Sequence, residues 1–345
     1  MCKDLYNSCN QCPRKCGINR TKNCGFCGEK DEVRIAVACL HFGEEPLVTV
    51  HGGSGTIFFT GCTLHCAFCQ NYQISQNGMG KAVSCEEFVQ ICLKLQEKGA
   101  ENINLITGSH SIPKIAEYIK EAKSAGCNIP FCWNSSAFEN VEMLELLKPY
   151  ISIWLPDLKT LDKNLSKKLF DAEQYPDAAE KAITWMIENF PIKVTEKKAA
   201  AAYVDVNGES VQKGEKRDKM LQGVIIRHLF MPGKFIETAD VLEWLKNNAD
   251  GKACISLMNQ YTPVPFCEDE KKASRRKEAL SAIENRLVSK EEDSDLQDLM
   301  EALDFEYLFY QELNDDTSWL PDFTKKQPFS NKLAIPVWHW NYGFV

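Results

Sequence analysis

The segment Thr56-Ile-Phe-Phe-Thr-Gly-Cys-Thr-Leu-His-Cys-Ala-Phe-Cys-Gln-Asn71 joins an apolar, strand-like run to three closely spaced cysteines. The cysteines follow the spacing Cys62-x3-Cys66-x2-Cys69, and glycines flank the run on both sides. Thiolates are the ligands that iron–sulfur clusters use, and a short loop presents three of them to one face of a four-iron cube. Three protein ligands leave the fourth iron open. The pattern therefore predicts a [4Fe–4S] cluster at Cys62, Cys66 and Cys69.

A zinc site completed by a distant ligand is the alternative for this loop. Structural zinc sites usually pair two Cys-x2-Cys hooks, and no second hook follows the loop at a suitable distance. His65 lies inside the loop, where we expect it to contact solvent or neighbouring side chains rather than a metal.

The sequence around the loop alternates short apolar runs with amphipathic stretches, which predicts strands followed by helices. The predicted strands are Thr56–Thr60, Ile103–Thr107, Ile129–Trp133, Ile151–Leu155, Gly223–Phe230 and Ala253–Met258. Strands alternating with helices at this spacing imply parallel βαβ units, so six repeats predict an α/β fold with a partial (β/α)6 barrel. Periodicity alone leaves an open, doubly wound sheet as the alternative. The three-cysteine loop would then follow the first strand, at the end where such barrels place their chemistry.

Three regions are predicted from changes in composition. Residues 1–50 form a cysteine-rich, loop-like metal-binding module, and residues 51–265 form the barrel. A hairpin insertion at about 193–220 interrupts the barrel and turns at Asn207-Gly208, a pair typical of two-residue turns. Residues 266–345 form a helical and aromatic extension, whose tail we expect to pack against the barrel.

Composition excludes several functional classes. The chain has 345 residues, 44% of them hydrophobic and 26% charged, as in soluble globular proteins. Its net charge of −8 predicts no nucleic-acid partner, and the basic stretch from Lys271 to Lys277 is interpreted as a solvated helix face. Because neither a signal peptide nor a membrane-spanning run is visible, we expect a cytoplasmic protein with no membrane partner. In that reducing compartment, clustered cysteines favour metal binding over disulfides.

A second group of cysteines lies near the N-terminus. Cys9-x2-Cys12-x3-Cys16 is followed by Cys24-x2-Cys27, which places five thiols in nineteen residues. Four of them in tetrahedral arrangement would make a structural zinc site, which small loop-rich modules often need in order to fold. A second iron–sulfur cluster acting as an electron relay is the alternative, although the spacing differs from that of bacterial ferredoxins. Free thiols are the third possibility.

With the three-cysteine loop, several further motifs carry a family resemblance. They are Cys12-Pro-Arg-Lys-Cys-Gly17, His41-Phe-Gly-Glu-Glu-Pro46, Phe68-Cys-Gln-Asn-Tyr72, Gly223-Val-Ile-Ile-Arg-His-Leu229 and Ser256-Leu-Met-Asn-Gln-Tyr-Thr-Pro263. The chain resembles the radical S-adenosylmethionine (SAM) superfamily and, within it, proteins similar to pyruvate formate-lyase activating enzyme. The resemblance implies that the open iron binds SAM and that an electron from the cluster cleaves it to a 5′-deoxyadenosyl radical, which abstracts hydrogen. It also implies an electron donor such as flavodoxin or ferredoxin.

The resemblance further implies which residues contact SAM, most of them following the barrel strands. The candidates are Phe68, Thr107, His110, Asn134, Ser136, Asp157 and Lys159, and the charge of Arg227 inside a strand adds this residue as a further candidate. Where activating enzymes carry a Gly-Gly-Glu type segment for the SAM amino group, this chain reads Thr107-Gly-Ser-His110. Asn134-Ser-Ser136 resembles the turn near the ribose, and Asp157-Leu-Lys159 resembles an Asp-x-Lys whose lysine faces the SAM carboxylate.

Arg227 and His228 are neighbouring polar residues inside a predicted apolar strand. Successive strand side chains face opposite ways, so only one of the two enters the barrel. A charge there needs a partner, either SAM or substrate, or a structural ion pair.

For the N-terminal group of cysteines, the resemblance implies Cys9, Cys12, Cys16 and Cys27 as ligands. Cys2, Cys24 and Cys39 are then additional.

Three functions are compatible with the sequence. The first is an activase that installs a glycyl radical on a partner enzyme, and the second is a radical SAM enzyme acting on a small molecule or peptide. The third is an iron–sulfur electron-transfer or sensor protein without SAM chemistry. Cleavage of SAM separates the third function from the other two.

Overall fold

The computed structural model describes residues 4–267, 269–315, 317, 319–330 and 332–345, so Cys2 lies outside the described residues. Its helices are α1 (Asp4–Asn7), α2 (Pro46–Thr49), α3 (Tyr72–Ser75), α4 (Cys85–Glu97), α5 (Ile112–Ser124), α6 (Val141–Leu147), α7 (Lys163–Phe170), α8 (Tyr175–Asn189), α9 (Phe235–Ala249), α10 (Glu270–Leu280) and α11 (Lys290–Leu303). Its strands are β1 (Arg34–His41), β2 (Ser54–Phe59), β3 (Lys81–Ala82), β4 (Ile103–Ile106), β5 (Phe131–Ser135), β6 (Ile151–Pro156), β7 (Lys193–Lys198), β8 (Tyr203–Val204), β9 (Ser210–Val211), β10 (Lys216–Leu229), β11 (Cys254–Met258), β12 (Leu308–Tyr310), β13 (Ala334–His339) and β14 (Gly343–Phe344).

The order of the parallel strands decides between a barrel and a doubly wound sheet. Neighbouring strands follow the order β12-β11-β10-β6-β5-β4-β2-β1-β13-β14. From β2 to β12 the pairs are parallel and follow the chain without reversal. A doubly wound sheet reverses its strand order at a switch point, and this sheet does not. The predicted partial (β/α)6 barrel is confirmed, with β12 as an additional parallel strand.

The two faces of the barrel strands carry different side chains, because successive residues in a strand point to opposite sides. On the outer face, Leu105, Trp133 and Ile226 are fully buried in the large core that includes the helices. On the inner face, Ile153 and Ile225 belong to a smaller core inside the barrel. Both faces are therefore buried, as is usual for parallel sheets flanked by helices.

The short helix α2 closes the N-terminal end of the barrel. Val48, which is 1% exposed, belongs to the same inner core as Ile153 and Ile225. The backbone of this helix is held by Asn102, whose side-chain Nδ2 donates to the Val48 carbonyl at 2.9 Å. Because Glu45 directly precedes α2, the same closure brings acidic side chains into the barrel interior.

The N-terminal region contains a strand that the sequence analysis missed. We expected residues 1–50 to be loop-like, but β1 pairs antiparallel with β2 on one side and with β13 on the other. The run Arg34–His41 is apolar almost throughout, as in strands buried on both faces, and the neighbouring cysteines obscured this signal. The aromatic tail forms β13 and β14 of the same sheet. The division of the chain into three domains stays a prediction.

A long hairpin leaves the barrel between α8 and β10. Strand β7 pairs antiparallel with the first half of β10, and β8 pairs with β9 near the tip. The Gly208 N–H donates to the Asp205 carbonyl at 3.0 Å, so Val206 and Asn207 are the central turn residues. Gly208, with φ of +84°, follows them in the left-handed conformation. The turn therefore lies one residue earlier than predicted, because a four-residue turn leaves the glycine at its last position.

No helix in the described part of the chain combines the length and the apolar character needed to cross a membrane.

We expect Val48→Ala to destabilise the protein by about 2 kcal/mol, because it removes two buried methyl groups and leaves a cavity in the closed end of the barrel. Val204→Ala is the matched control, since Val204 is 66% exposed on the hairpin. Its expected cost is within about 0.5 kcal/mol. Urea unfolding of the two variants measures the difference, and equal midpoints would show that α2 does not support the barrel.

Candidate cofactor site

The three-cysteine loop begins where β2 ends, and its backbone is bonded to two other segments. The Cys62 N–H donates to the Cys27 carbonyl at 3.2 Å, and the Gly61 N–H donates to the Ile74 carbonyl at 3.1 Å. Gly61 has φ of +74°, and a Cβ there would lie 2.7 Å from the Cys27 oxygen and clash with the Glu29 side chain. Only glycine therefore fits at the start of the loop.

The three thiols of the loop lie near one another and beside a cation. Burial raises the pKa of the Cys66 thiol, and the Lys159 ammonium opposes this shift while Cys69 and Cys62 add to it. Burial also raises the pKa of Cys69, against a hydrogen bond with Ser75, whose Oγ lies 3.3 Å from the sulfur. Because metal binding replaces the thiol protons, a neighbouring ammonium favours the thiolate form that ligates iron.

Arg14 holds the loop from the N-terminal side. Its guanidinium donates to the carbonyls of Thr63 at 2.8 Å and Leu64 at 3.2 Å, and to those of Phe170 at 2.7 Å and Asp171 at 2.6 Å. One side chain thus ties the cluster loop to the end of α7. The sequence analysis did not predict the contact of Arg14 with the cluster loop, although Arg14 lies within the Cys12-to-Gly17 motif of the family resemblance.

Arg276 holds the loop from the C-terminal side. It donates to the Ala67 carbonyl at 2.7 Å and to Gln76 Oε1 at 2.9 Å, while its guanidinium stacks on the Phe266 ring at 3.8 Å. The stretch from Lys271 to Lys277 was interpreted as a solvated helix face, and for Arg276 this interpretation is wrong. Helix α10 points this side chain back towards the loop, a contact that charge patterning does not reveal.

Two side chains of the loop pack against aromatic rings. Phe68 is 8% exposed, and its ring lies 6.1 Å from that of Phe170 and 5.9 Å from that of Tyr261. His65 lies against the Phe26 ring at 4.7 Å, and burial together with Arg14 lowers its pKa to about 4. Both rings therefore help to seat the loop on its surroundings.

Inside the barrel, Arg227 gathers side chains from three other segments. Its guanidinium lies 2.8 Å from Asp157 Oδ1 and 2.6 Å from Asn134 Oδ1. It also lies 3.6 Å from Glu44 and 3.9 Å from Glu45. Three of the predicted site residues are thus brought together. Glu44 and Glu45 were quoted in a motif but given no role, and only the position of α2 reveals one.

His228 faces away from the barrel interior, as the alternation of strand side chains requires. Its two ring nitrogens lie 2.7 Å from the Leu158 carbonyl and 3.0 Å from Thr238 Oγ1. The expectation that only one of Arg227 and His228 enters the barrel is confirmed, and a structural ion pair with Asp157 satisfies the arginine.

Asp157 links Arg227 to Lys159. Its carboxylate accepts from Lys159 Nζ at 2.7 Å as well as from the arginine. Burial alone would raise the pKa of Asp157, but the two cations hold it below its ordinary value. The charge of Lys159 also acts on the pKa of Cys66, which it lowers against the effect of burial. The ion pairs therefore connect the barrel interior with the cluster loop.

Ser136 and the residues after β4 occupy different surroundings. Ser136 is 6% exposed, and its hydroxyl has no hydrogen-bond partner among the described residues. His110 is buried, its carbonyl accepts from Arg20, and burial together with Arg20 lowers its pKa to about 3. Thr107 is half-buried. Within the described chain, neither the Thr107 nor the His110 side chain bonds to the Arg227 group.

Glu139 is a buried carboxylate that the sequence analysis missed. It accepts hydrogen bonds from Ser109 Oγ at 2.5 Å, Ser135 Oγ at 3.0 Å and Trp133 Nε1 at 3.0 Å. Burial raises its pKa despite these donors. The carboxylate ties the end of β5 to the turn after β4, and so it holds the rim of the barrel in shape.

The N-terminal cysteines differ in exposure. Cys9, Cys12 and Cys27 are buried, Cys16 is half-buried and Cys24 is exposed. Cys39 belongs to β1 and is buried in the core. Across the described residues, no three Cys, His, Asp or Glu side chains already form a site for a single metal ion.

Comparison with known proteins agrees with the geometry of the loop. Residues 56–196 match the profile of the radical SAM superfamily. This segment is similar to radical SAM domains. Such domains work with a [4Fe–4S] cluster and SAM, the two cofactors predicted above. The site fits both, because three soft thiol ligands share one loop, a lysine lies beside them, and a buried serine hydroxyl is left unpaired.

Relatives of the chain extend beyond this segment. An uncharacterised protein of Methanocaldococcus jannaschii is 27% identical over 285 residues, 79% of this chain and 72% of that protein. Among solved structures, Streptococcus suis SuiB bound to the precursor peptide SuiA matches with a TM-score of 0.46 and 13% identity. A domain of a Bacteroides vulgatus pyruvate formate-lyase-activating enzyme matches with a TM-score of 0.34 and 11% identity. The SuiB match covers 73% of this chain and 46% of the SuiB chain. The activating-enzyme match covers 58% of this chain and 91% of that domain. This chain therefore spans less than half of the SuiB chain.

We expect Gly61→Ala to destabilise the protein by roughly 3 kcal/mol, because a left-handed backbone and a steric clash act together there. Gly78→Ala is the matched control, since Gly78 has φ of +67° but nothing within 4 Å of an added Cβ. It should cost about 1 kcal/mol. Urea unfolding measures both values, and a loss at position 61 no greater than that at 78 would contradict the close packing of the loop on Cys27.

Proposed function

We propose that this chain is a radical SAM enzyme in which Cys62, Cys66 and Cys69 ligate the [4Fe–4S] cluster. The observation that carries the proposal is the placement of three thiols on one loop at the C-terminal end of β2, with the Lys159 ammonium beside Cys66. In barrels of this class the C-terminal ends of the strands carry the chemistry. Three thiolates leave one iron available to a further ligand.

When bound, the cluster supplies an electron and SAM supplies the sulfonium bond whose reductive cleavage yields a hydrogen-abstracting 5′-deoxyadenosyl radical. The residues of this chain bind and orient the cofactors. We assign Lys159 to the carboxylate of SAM, because it is a cation whose charge acts on the Cys66 thiol of the cluster loop. Asp157 holds the lysine at 2.7 Å, and Arg227 in turn holds Asp157 at 2.8 Å.

The remaining proposed contacts divide into two groups. Asn134 and Ser136 lie at the C-terminal end of β5, where the unpaired Ser136 hydroxyl is available to a ribose hydroxyl. Thr107 and His110 follow β4, and we retain them as candidates for the amino group of SAM. For Phe68 the ring contacts support a packing role beside the cofactor rather than a polar contact.

The hydrogen donor is a separate proposal. The family resemblance supports an activase that acts on a glycine of a partner enzyme, with flavodoxin or ferredoxin as electron donor in the cytoplasm. The segment Thr107-Gly-Ser-His110 departs from that of activating enzymes, and an activity towards a small molecule or peptide follows if no glycyl-radical partner is found.

We expect the reduced protein, reconstituted with iron and sulfide without oxygen, to form 5′-deoxyadenosine from SAM. Cys66→Ala should form no product above background, because a ligand to the cluster is lost. Cys92→Ala is the matched control, since Cys92 is a buried thiol in α4 outside the loop. Chromatography of the product measures both. Binding of SAM by an intact cluster of the unaltered chain is recorded in parallel, and its absence would favour the electron-transfer function.

We expect Lys159→Gln to weaken SAM binding by roughly 10- to 100-fold, the usual effect of losing a hydrogen bond to a charged group. Lys163→Gln is the control, because this nearby lysine pairs with Asp177 at the surface. Equilibrium dialysis of cluster-loaded protein measures the affinity, and the iron content verifies that the cluster is intact. Unchanged affinity at equal iron content would remove Lys159 from the SAM site.

A further inference from the structure

The barrel interior holds more carboxylate groups than its buried arginine binds directly. Asp157 Oδ1 lies 2.8 Å from the Arg227 guanidinium. Glu44 and Glu45 lie 3.6 and 3.9 Å from the same guanidinium, beyond hydrogen-bond distance, and each of their side chains is 7% exposed. The second cation nearby, Lys159, pairs with Asp157 and is the group that we assign to the SAM carboxylate. The two buried glutamates therefore keep hydrogen-bonding capacity that these cations do not use.

The glutamates lie near an amide that is also unpaired. Glu44 has contacts at 3.5 Å with Asn134 Nδ2 and with the His41 ring. Among the described residues, Glu45 Oε2 has no hydrogen-bond partner, and neither the oxygen nor the nitrogen of the Asn104 amide has one. Asn104 is fully buried. Buried polar groups are nearly always bonded, and an unpaired one costs free energy. These atoms therefore mark a place where a polar group of a ligand would bind.

Two observations place the Asn104 amide beside the glutamates. Asn104 is paired in register with Cys132 of β5, whose side chain belongs to the inner core of the barrel. Residues paired in this way point to the same face of a sheet, so the amide faces the interior. Burial raises the pKa of Glu44, while Arg227 and the Asn104 amide oppose the shift. The amide is therefore close to the Glu44 carboxylate.

The interior is reached from the end that carries the cysteine loop. The side chains of Arg227 and Lys159 are each 15% exposed, and that of Asp157 is 19% exposed, more than twice the value of the two glutamates. Helix α2, which directly follows Glu45, closes the opposite end. A ligand that enters beside the cysteine loop therefore meets the glutamates at the closed end of the barrel.

The chemistry of the unpaired acceptors favours a primary ammonium group. An ammonium group carries three N–H donors, no acceptor and one positive charge. Two carboxylates and one amide oxygen offer three acceptors and negative charge. In the part of the chain that the structure describes, no three Cys, His, Asp or Glu side chains are placed to hold a metal ion. An organic cation is therefore the ligand that fits.

We propose that Glu44, Glu45 and Asn104 form a substrate subsite that binds a primary ammonium group. The inference rests on the proposed function and narrows the hydrogen donor to a compound that carries an amine. With its ammonium group at the closed end of the barrel, the rest of such a substrate extends towards the cysteine loop, where the radical is formed.

The test uses the cluster-loaded chain without reductant, so that no turnover occurs, and with SAM bound, because SAM carries an ammonium group of its own. The probes are n-butylammonium and putrescine, and their fully N-acetylated forms are the uncharged comparisons. Saturation-transfer NMR should show that the acetylated forms bind roughly tenfold more weakly, the usual effect of losing a charge-assisted hydrogen bond. Glu45→Gln should weaken binding of the amines by about the same factor. Glu243→Gln, which alters an exposed carboxylate on α9, is the matched control and should not.

Two results of this experiment would overturn the proposal. One is equal binding of the amines and their acetylated forms, and the other is equal affinity of the Glu45 and Glu243 variants for the amines. Binding of SAM by the unaltered chain is measured on the same sample. Loss of SAM binding would count against the proposed function, whereas SAM binding without a preference for amines would overturn the ammonium subsite alone.

A second measurement needs neither cofactor nor probe. Replacing an unpaired buried amide by an apolar side chain of similar size is nearly neutral, whereas replacing a bonded amide loses its hydrogen bonds. We expect Asn104→Leu to unfold in urea at a midpoint equal to or above that of the unaltered chain. Asn102→Leu, the matched control, should lower the midpoint, because the Asn102 amide donates to the Val48 carbonyl at 2.9 Å and accepts from Ser54 Oγ at 2.7 Å. Equal losses in the two variants would show that Asn104 is bonded within the protein and would overturn the proposal.

Discussion

A guanidinium buried inside a barrel must be compensated by negative charge, and this requirement organises the centre of the protein. Arg227 is the buried cation, and Asp157, Glu44 and Glu45 surround it. Removing any one partner would leave charge exposed to a low-dielectric interior, which is costly. The glutamates come from the segment that precedes α2, and the aspartate follows β6. The ion pairs therefore connect the closed end of the barrel with the end that carries the cysteines.

The same ion pairs extend to the proposed cofactor site. Asp157 is shared between Arg227 and Lys159, and the lysine in turn lies near Cys66. Because the Asp157 carboxylate already holds the Lys159 ammonium, the side chain loses little further conformational freedom when it binds a ligand. This favours binding. The charge inside the barrel is thus linked to the position of the group that we assign to the SAM carboxylate.

The cluster loop itself depends on segments that are distant in the chain. Arg14 reaches it from the N-terminal region and Arg276 from α10, and the Cys27 carbonyl holds its first cysteine. Loops without regular structure lack a ladder of backbone bonds, so their carbonyls need side-chain donors. The regions before and after the barrel consequently supply the groups that hold the ligands in place.

The sequence by itself determined the class of the fold and the three-cysteine loop. Local periodicity predicts the barrel strands, and the spacing of Cys62, Cys66 and Cys69 predicts the chemistry, because both signals lie in neighbouring residues. The tertiary structure decided the pairing of β1 with β13, the roles of Glu44 and Glu45, and the contact of Arg276 with the loop. These features join residues up to hundreds of positions apart, and no local pattern records such pairs. Burial and charge balance in the folded chain select them.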